Sequence, residues 1–135
     1  MRILIVDDDF TSRVFLEKIL SPYGECHLAV DGEEALEAFT EALKQHRPYK
    51  LICLDYLLPE KDGKEALKEI RSMEEAHGIA PEDKAKIIFI TGIIDEDNAF
   101  KDLGSLCDAF LGKPIEGMKI RSILHDLGLL EAVDR

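Results

Sequence analysis

Short apolar runs alternate with amphipathic helical stripes along the whole chain, and that alternation limits the fold more than any other feature. Five runs carry it, at residues 2–6 (RILIV), 26–30 (CHLAV), 51–54 (LICL), 86–90 (KIIFI) and 108–111 (DAFL). The first four are rich in Ile, Leu, Val or Cys with little polar alternation, as strands buried on both faces should be. Between them lie stripes at helical spacing. Val14, Phe15, Ile19 and Leu20 mark the first, and Ala35, Leu36, Phe39, Ala42 and Leu43 the second. Ala66, Leu67, Ile70 and Met73 mark the third, Ala99, Phe100 and Leu103 a short fourth. Ile120, Ile123, Leu124 and Leu127 mark the fifth, with Gly128 as its stop. A strand–helix unit repeated five times predicts an α/β fold, a doubly wound five-stranded parallel sheet with five helices.

The 135 residues are expected to form one domain, residues 1–135, with no linker or second domain after the fifth helix. A net charge of -11 argues against a nucleic-acid partner, since phosphate backbones call for Lys and Arg. No apolar run approaches a membrane span, and the N-terminus lacks the long apolar region of a signal peptide. Cys26, Cys53 and Cys107 sit in apolar surroundings without a close pair and read as buried reduced thiols. A reducing, cytoplasmic setting is therefore expected. His27, His46, His77 and His125 lack metal spacing and read as surface residues. The polar connection EEAHGIAPEDKA, residues 74–85, leads from helix to strand and reads as a surface insertion at the strands' amino edge.

Ligands of open α/β sheets bind at the carboxyl edge of the strands, and here that edge collects polar residues. The first run releases Asp7, Asp8 and Asp9, the third Asp55, the fourth Thr91-Gly92, and the fifth Lys113-Pro114. In the order 2-1-3-4-5, strands one and three are neighbours at the switch point, which sets Asp7 and Asp8 beside Asp55. Several carboxylates in one crevice need a cation, and a few hard oxygen ligands with an open side suit Mg²⁺. Lys113 and the Thr91 hydroxyl would meet phosphoryl oxygens, and one carboxylate would attack phosphorus. No GxxxxGK[ST] loop is present for tight nucleotide binding. Asp9 and Asp31 read as helix caps.

These residues resemble the receiver domain of bacterial two-component response regulators, a flavodoxin-like fold. The matching pieces are the Asp7-Asp8 doublet, DYLLPEKDG at residues 55–63, Thr91-Gly92, and Gly112-Lys113-Pro114. The resemblance implies that Asp55 accepts a phosphoryl group from the phosphohistidine of a histidine kinase or phosphotransfer protein. It implies Mg²⁺ held by Asp8, by Asp7 through water, by Asp55 and by the Leu57 carbonyl. Thr91 and Lys113 would contact the phosphoryl group, and the Lys113–Pro114 bond would be cis. Phe110 stands where the family often has a switch aromatic; the alternative is an ordinary aromatic on the fifth strand. The resemblance further implies a stand-alone switch whose output protein binds around the fourth helix, fifth strand and fifth helix, and which is not a multiple-turnover enzyme. Leu57 and Ile93, two residues past Asp55 and Thr91, are apolar, so slow self-dephosphorylation is expected.

The run Asp7-Asp8-Asp9-Phe10-Thr11 also spells D-x-D-x-T, the first motif of haloacid-dehalogenase-like phosphatases. There Asp7 would be the nucleophile and Asp9 the general acid. That family requires a further acidic pair after the Lys, where this chain has Pro114-Ile115-Glu116-Gly117. A third reading is a degenerate receiver serving only as a binding module.

Overall fold

The computed structural model describes residues 1–55, 63–91 and 105–130. Five strands, β1 (Arg2–Val6), β2 (Glu25–Ala29), β3 (Leu51–Asp55), β4 (Lys86–Thr91) and β5 (Ala109–Gly112), form one sheet in the order β2-β1-β3-β4-β5. Every pairing is parallel. The helices are α1 (Phe10–Leu20), α2 (Gly32–Lys44), α3 (Gly63–Ala76) and α4 (Gly117–Asp126).

The side-chain alternation of each strand divides the core in two. Leu4, Val6, Ile52, Leu54, Ile87 and Phe89 face one side and pack with α2 and α3 through Phe39, Leu67 and Ile70. Ile3, Ile5, Cys53, Ile88 and Ile90 face the other and pack with α1 and α4 through Leu16, Leu20, Ile120 and Leu124. Burial on both faces is why the strand sequences lack polar alternation.

The expected count of five helices is corrected. Four α-helices are found among the described residues, and α4 is the helix that the sequence pattern numbers fifth. The stripe Ala99, Phe100 and Leu103 lies outside the described residues. The first stripe also shifts. Leu16 and Leu20, one helical turn apart, are fully buried in α1, whereas Phe15 is exposed.

The caps account for where helices begin and end. Asp9 accepts from the Ser12 amide at 3.0 Å, and Asp31 from the Glu34 amide at 2.8 Å, as their positions before α1 and α2 predicted. Glu34 reaches back to the Val30 amide at 3.0 Å, which closes a reciprocal cap. After α2 the chain turns through His46 at φ 56, and after α4 through Gly128 at φ 76. Both turns return amides to the final helical turn, from Arg47 to Ala42 O and from Leu129 to Leu124 O.

The connection after α3 is bound to the core more firmly than a surface insertion would be. Glu74, at its start, is 1% exposed. It pairs with Arg71 at 2.7 Å and accepts from the Ala85 amide at 2.8 Å, tying both ends of the connection together. Arg71 also donates to the carbonyls of Leu106 and Ala85 and to Asp108 Oδ2. A carboxylate buried this deeply persists only when paired and hydrogen-bonded, and here both oxygens are used.

Candidate functional site

Strand register sets the site. The last rung of β1 and β3 pairs Val6 with Leu54, so Asp7 and Asp55 leave neighbouring strands at one level. Asp7 is fully buried and Asp55 is 4% exposed, while Asp8 faces solvent. One carboxylate oxygen from each lies within 4.8 Å of the other two. Thr91, fully buried, ends β4 opposite Gly112 of β5. Lys113 follows directly, held by its amide on the Thr91 carbonyl at 2.9 Å, and its bond to Pro114 is cis, as the resemblance implied.

The Lys113 ammonium lies 3.0 Å from Asp55 Oδ2 and 3.7 Å from Asp7 Oδ2. Partial burial works against its charge, but the hydrogen bond to Asp55 and the fields of Asp55, Asp7 and Asp8 outweigh that and raise its pKa above the usual lysine value. One ammonium does not balance three carboxylates. Asp7 Oδ1 accepts from the Asp9 amide at 2.9 Å, but Asp7 Oδ2 is buried and accepts no hydrogen bond. An orphaned carboxylate oxygen beside two more carboxylates fits a hard divalent cation. Asp7, Asp8 and Asp55 are positioned to coordinate Mg²⁺. The Leu57 carbonyl, expected to join them, lies outside the described residues.

Asp9 takes no part in the crevice. Its Oδ2 accepts from both the amide and hydroxyl of Ser12, and these bonds hold its pKa below the usual carboxylate value. An Asp9 committed to the start of α1 is not poised as the general acid of a D-x-D-x-T phosphatase. Phe110 is half-buried on β5, its ring 6.2 Å from that of Phe89.

Sequence reasoning missed Arg13. Its guanidinium donates to the Asp7 carbonyl at 2.8 Å and lies over the Phe10 ring, bracing the turn that carries the doublet. An arginine one turn into a helix is so common that nothing in the pattern singled it out. The reach of Lys113 to Asp7 as well as Asp55 was equally hidden, because it depends on side-chain geometry rather than spacing.

Known proteins share this arrangement. The model of the response regulator receiver domain matches residues 3–125. The chemotaxis protein CheY of Halobacterium salinarum is 29% identical, the match covering 93% of this chain and 95% of that protein. A probable histidine kinase 2 of Oryza sativa subsp. indica is 31% identical over 93% of this chain, which spans only 12% of that kinase's length. The crystal structure of the receiver domain of the histidine kinase CKI1 from Arabidopsis thaliana superposes with a TM-score of 0.76 at 31% identity, covering 92% of this chain and 89% of that one. With the family model spanning nearly the whole chain and the acidic crevice in place, this chain belongs to the response regulator receiver domains.

Proposed function

We propose that this receiver domain takes a phosphoryl group from the phosphohistidine of a histidine kinase or phosphotransfer protein onto Asp55. An Asp55 oxygen forms the new bond to phosphorus, the phosphorus–nitrogen bond to the donor imidazole breaks, and its electron pair stays on the imidazole nitrogen. The product is an acyl phosphate and a free histidine, so each chain carries one group rather than turning over substrate. Bound Mg²⁺, held by Asp7, Asp8 and Asp55, supplies charge neutralisation for the phosphoryl oxygens. Lys113 adds a second positive charge, already within hydrogen-bonding distance of Asp55. Thr91, level with Lys113 at the neighbouring strand end, supplies a hydroxyl to a phosphoryl oxygen on activation.

The observation that carries this reading is the convergence of one ammonium on two buried carboxylates from adjacent strands. Incubation with a small acyl phosphate and Mg²⁺, followed by intact-mass spectrometry, tests it. One phosphoryl adduct is expected, absent in Asp55→Asn; turnover of the donor that Asp7→Asn abolishes while Asp55→Asn leaves it intact would contradict it.

Phosphorylation then favours one of two pre-existing states, read by an output protein at a face that includes β5 and α4, with Phe110 as the reporter of the switch. Loss of the phosphoryl group is slow. Leu57 and Ile93, both outside the described residues, bring no hydrogen-bonding group to orient water. A half-life of seconds in the purified protein would contradict that. The free thiols Cys26, Cys53 and Cys107 support a reducing, cytoplasmic setting, and no helix among the described residues is long and apolar enough to cross a membrane.

A further inference from the structure

The amino edge of the sheet, opposite the carboxylate crevice, holds a cleft of about 660 Å³ between the end of α3, the short 3-10 helix Pro81–Asp83 and the residues entering β5. That volume falls within the range of small-ligand sites. The Arg71 hub forms its floor. Arg71 joins Leu106, Ala85, Glu74 and Asp108, and Asp108 Oδ2 also accepts from the Ile87 amide at 2.8 Å. The cleft is therefore preformed.

Its charge is opposite to that of the chain. Against a net charge of -11, the cleft is lined by four basic residues, Lys68, Arg71, Lys84 and Lys86, against two acidic ones, Glu75 and Asp108. Lys84 and Lys86 lie 4.0 Å from Glu75 and Asp108, at the outer limit of an ion pair. Lys68 has no ion pair among the described residues. Glu74 is spent on Arg71 and the Ala85 amide, so it does not cancel these charges. Ser72 and Ser105 line the same space, and Pro81 and Leu106 add apolar lining.

Ammoniums and hydroxyls beside an apolar wall recognise a phosphate on an organic body. We propose that this cleft binds a small organic phosphate of about mononucleotide size, at a site separate from Asp55. The inference stands independently of the phosphotransfer reading.

Amide NMR titration of the full chain without Mg²⁺ tests it, with AMP, adenosine and citrate as probes. AMP at millimolar concentration is expected to shift the Ser72, Lys84, Ser105 and Leu106 amides and leave Asp7 and Asp55 unmoved. Adenosine and citrate should shift them far less. The double substitution of exposed Lys68→Gln and half-buried Lys84→Gln should weaken AMP binding at least tenfold while the melting temperature holds. Absence of shifts, equal shifts with adenosine or citrate, or undiminished binding to the folded double variant would overturn the proposal.

Discussion

Lys113 and Asp55 stand 3.0 Å apart although their strands, β5 and β3, do not touch; β4 runs between them. The ammonium reaches across the end of β4 directly above Thr91, whose carbonyl anchors the Lys113 amide. One residue thereby ties three strands at the carboxyl edge, its amide holding β4 and its ammonium β3.

Lys113→Gln should remove that tie and leave Asp7, Asp8 and Asp55 repelling one another. Breaking a fully buried pair costs roughly 3–5 kcal/mol; with Lys113 about one-third exposed, a loss of about 1–2 kcal/mol is expected in Mg²⁺-free urea unfolding. Added Mg²⁺ should restore more stability to this variant than to the wild type, since it then replaces the positive charge that Lys113 supplied beside Asp7 and Asp55. Asp8→Ala should abolish the Mg²⁺-dependent rise in melting temperature with little loss of Mg²⁺-free stability.

The raised Lys113 pKa has a definite sign in pH dependence. A group whose folded pKa exceeds its unfolded value contributes stability in full below the unfolded value, here near 10.5, and loses it as pH climbs through the folded value. The stability difference between wild type and Lys113→Gln should therefore be constant through neutral and mildly alkaline pH and shrink above about 10.5. Paired unfolding curves across pH 8–12 measure it; a difference already fading by about pH 9 would contradict the assigned contacts.

Arg71→Met should leave Glu74 buried without its counter-charge and destabilise the protein by about 3 kcal/mol. The double variant with Glu74→Met should recover part of that loss, because the fully buried Glu74 carboxylate is then no longer left without its counter-charge. A double-mutant cycle by denaturant unfolding reads the coupling.

His46→Gly should stabilise. His46 holds φ 56 at the end of α2, a conformation that costs a non-glycine residue about 1 kcal/mol. A gain of about 0.5–1 kcal/mol in thermal or urea unfolding is expected, reduced by the greater freedom of glycine in the unfolded chain.

Asp7 and Asp55, set against Glu74 and His46, show what a sequence discloses and what it hides. Strand order, the Asp7–Asp55 juxtaposition and the caps at Asp9 and Asp31 follow from local chemistry and periodicity, and all are found. The sequence marks Glu74 as the start of a surface insertion, since a glutamate in a polar stretch is usually solvated. Its burial depends on Arg71 and the distant Ala85 amide taking both carboxylate oxygens, and on Asp108 holding Arg71 in turn, a relation with no one-dimensional signature. The first helical stripe failed for a related reason. Phe15 and Leu16 are adjacent and equally apolar, and only the packed sheet decides which faces inward. The end of α2 at His46 was unmarked because no glycine stands there.

The account rests on Asp55 being the one phosphorylated residue, with Asp7 and Asp8 serving the cation. Treating the wild type, Asp55→Asn and Asp7→Asn with a small acyl phosphate and Mg²⁺, and mapping the adduct by peptide mass spectrometry, tests this most directly. The account predicts one phosphoryl group on the peptide containing Asp55, none in Asp55→Asn, and slowed but detectable modification of Asp55 in Asp7→Asn. An adduct on Asp7, or a phosphorylated Asp55→Asn chain, would contradict it.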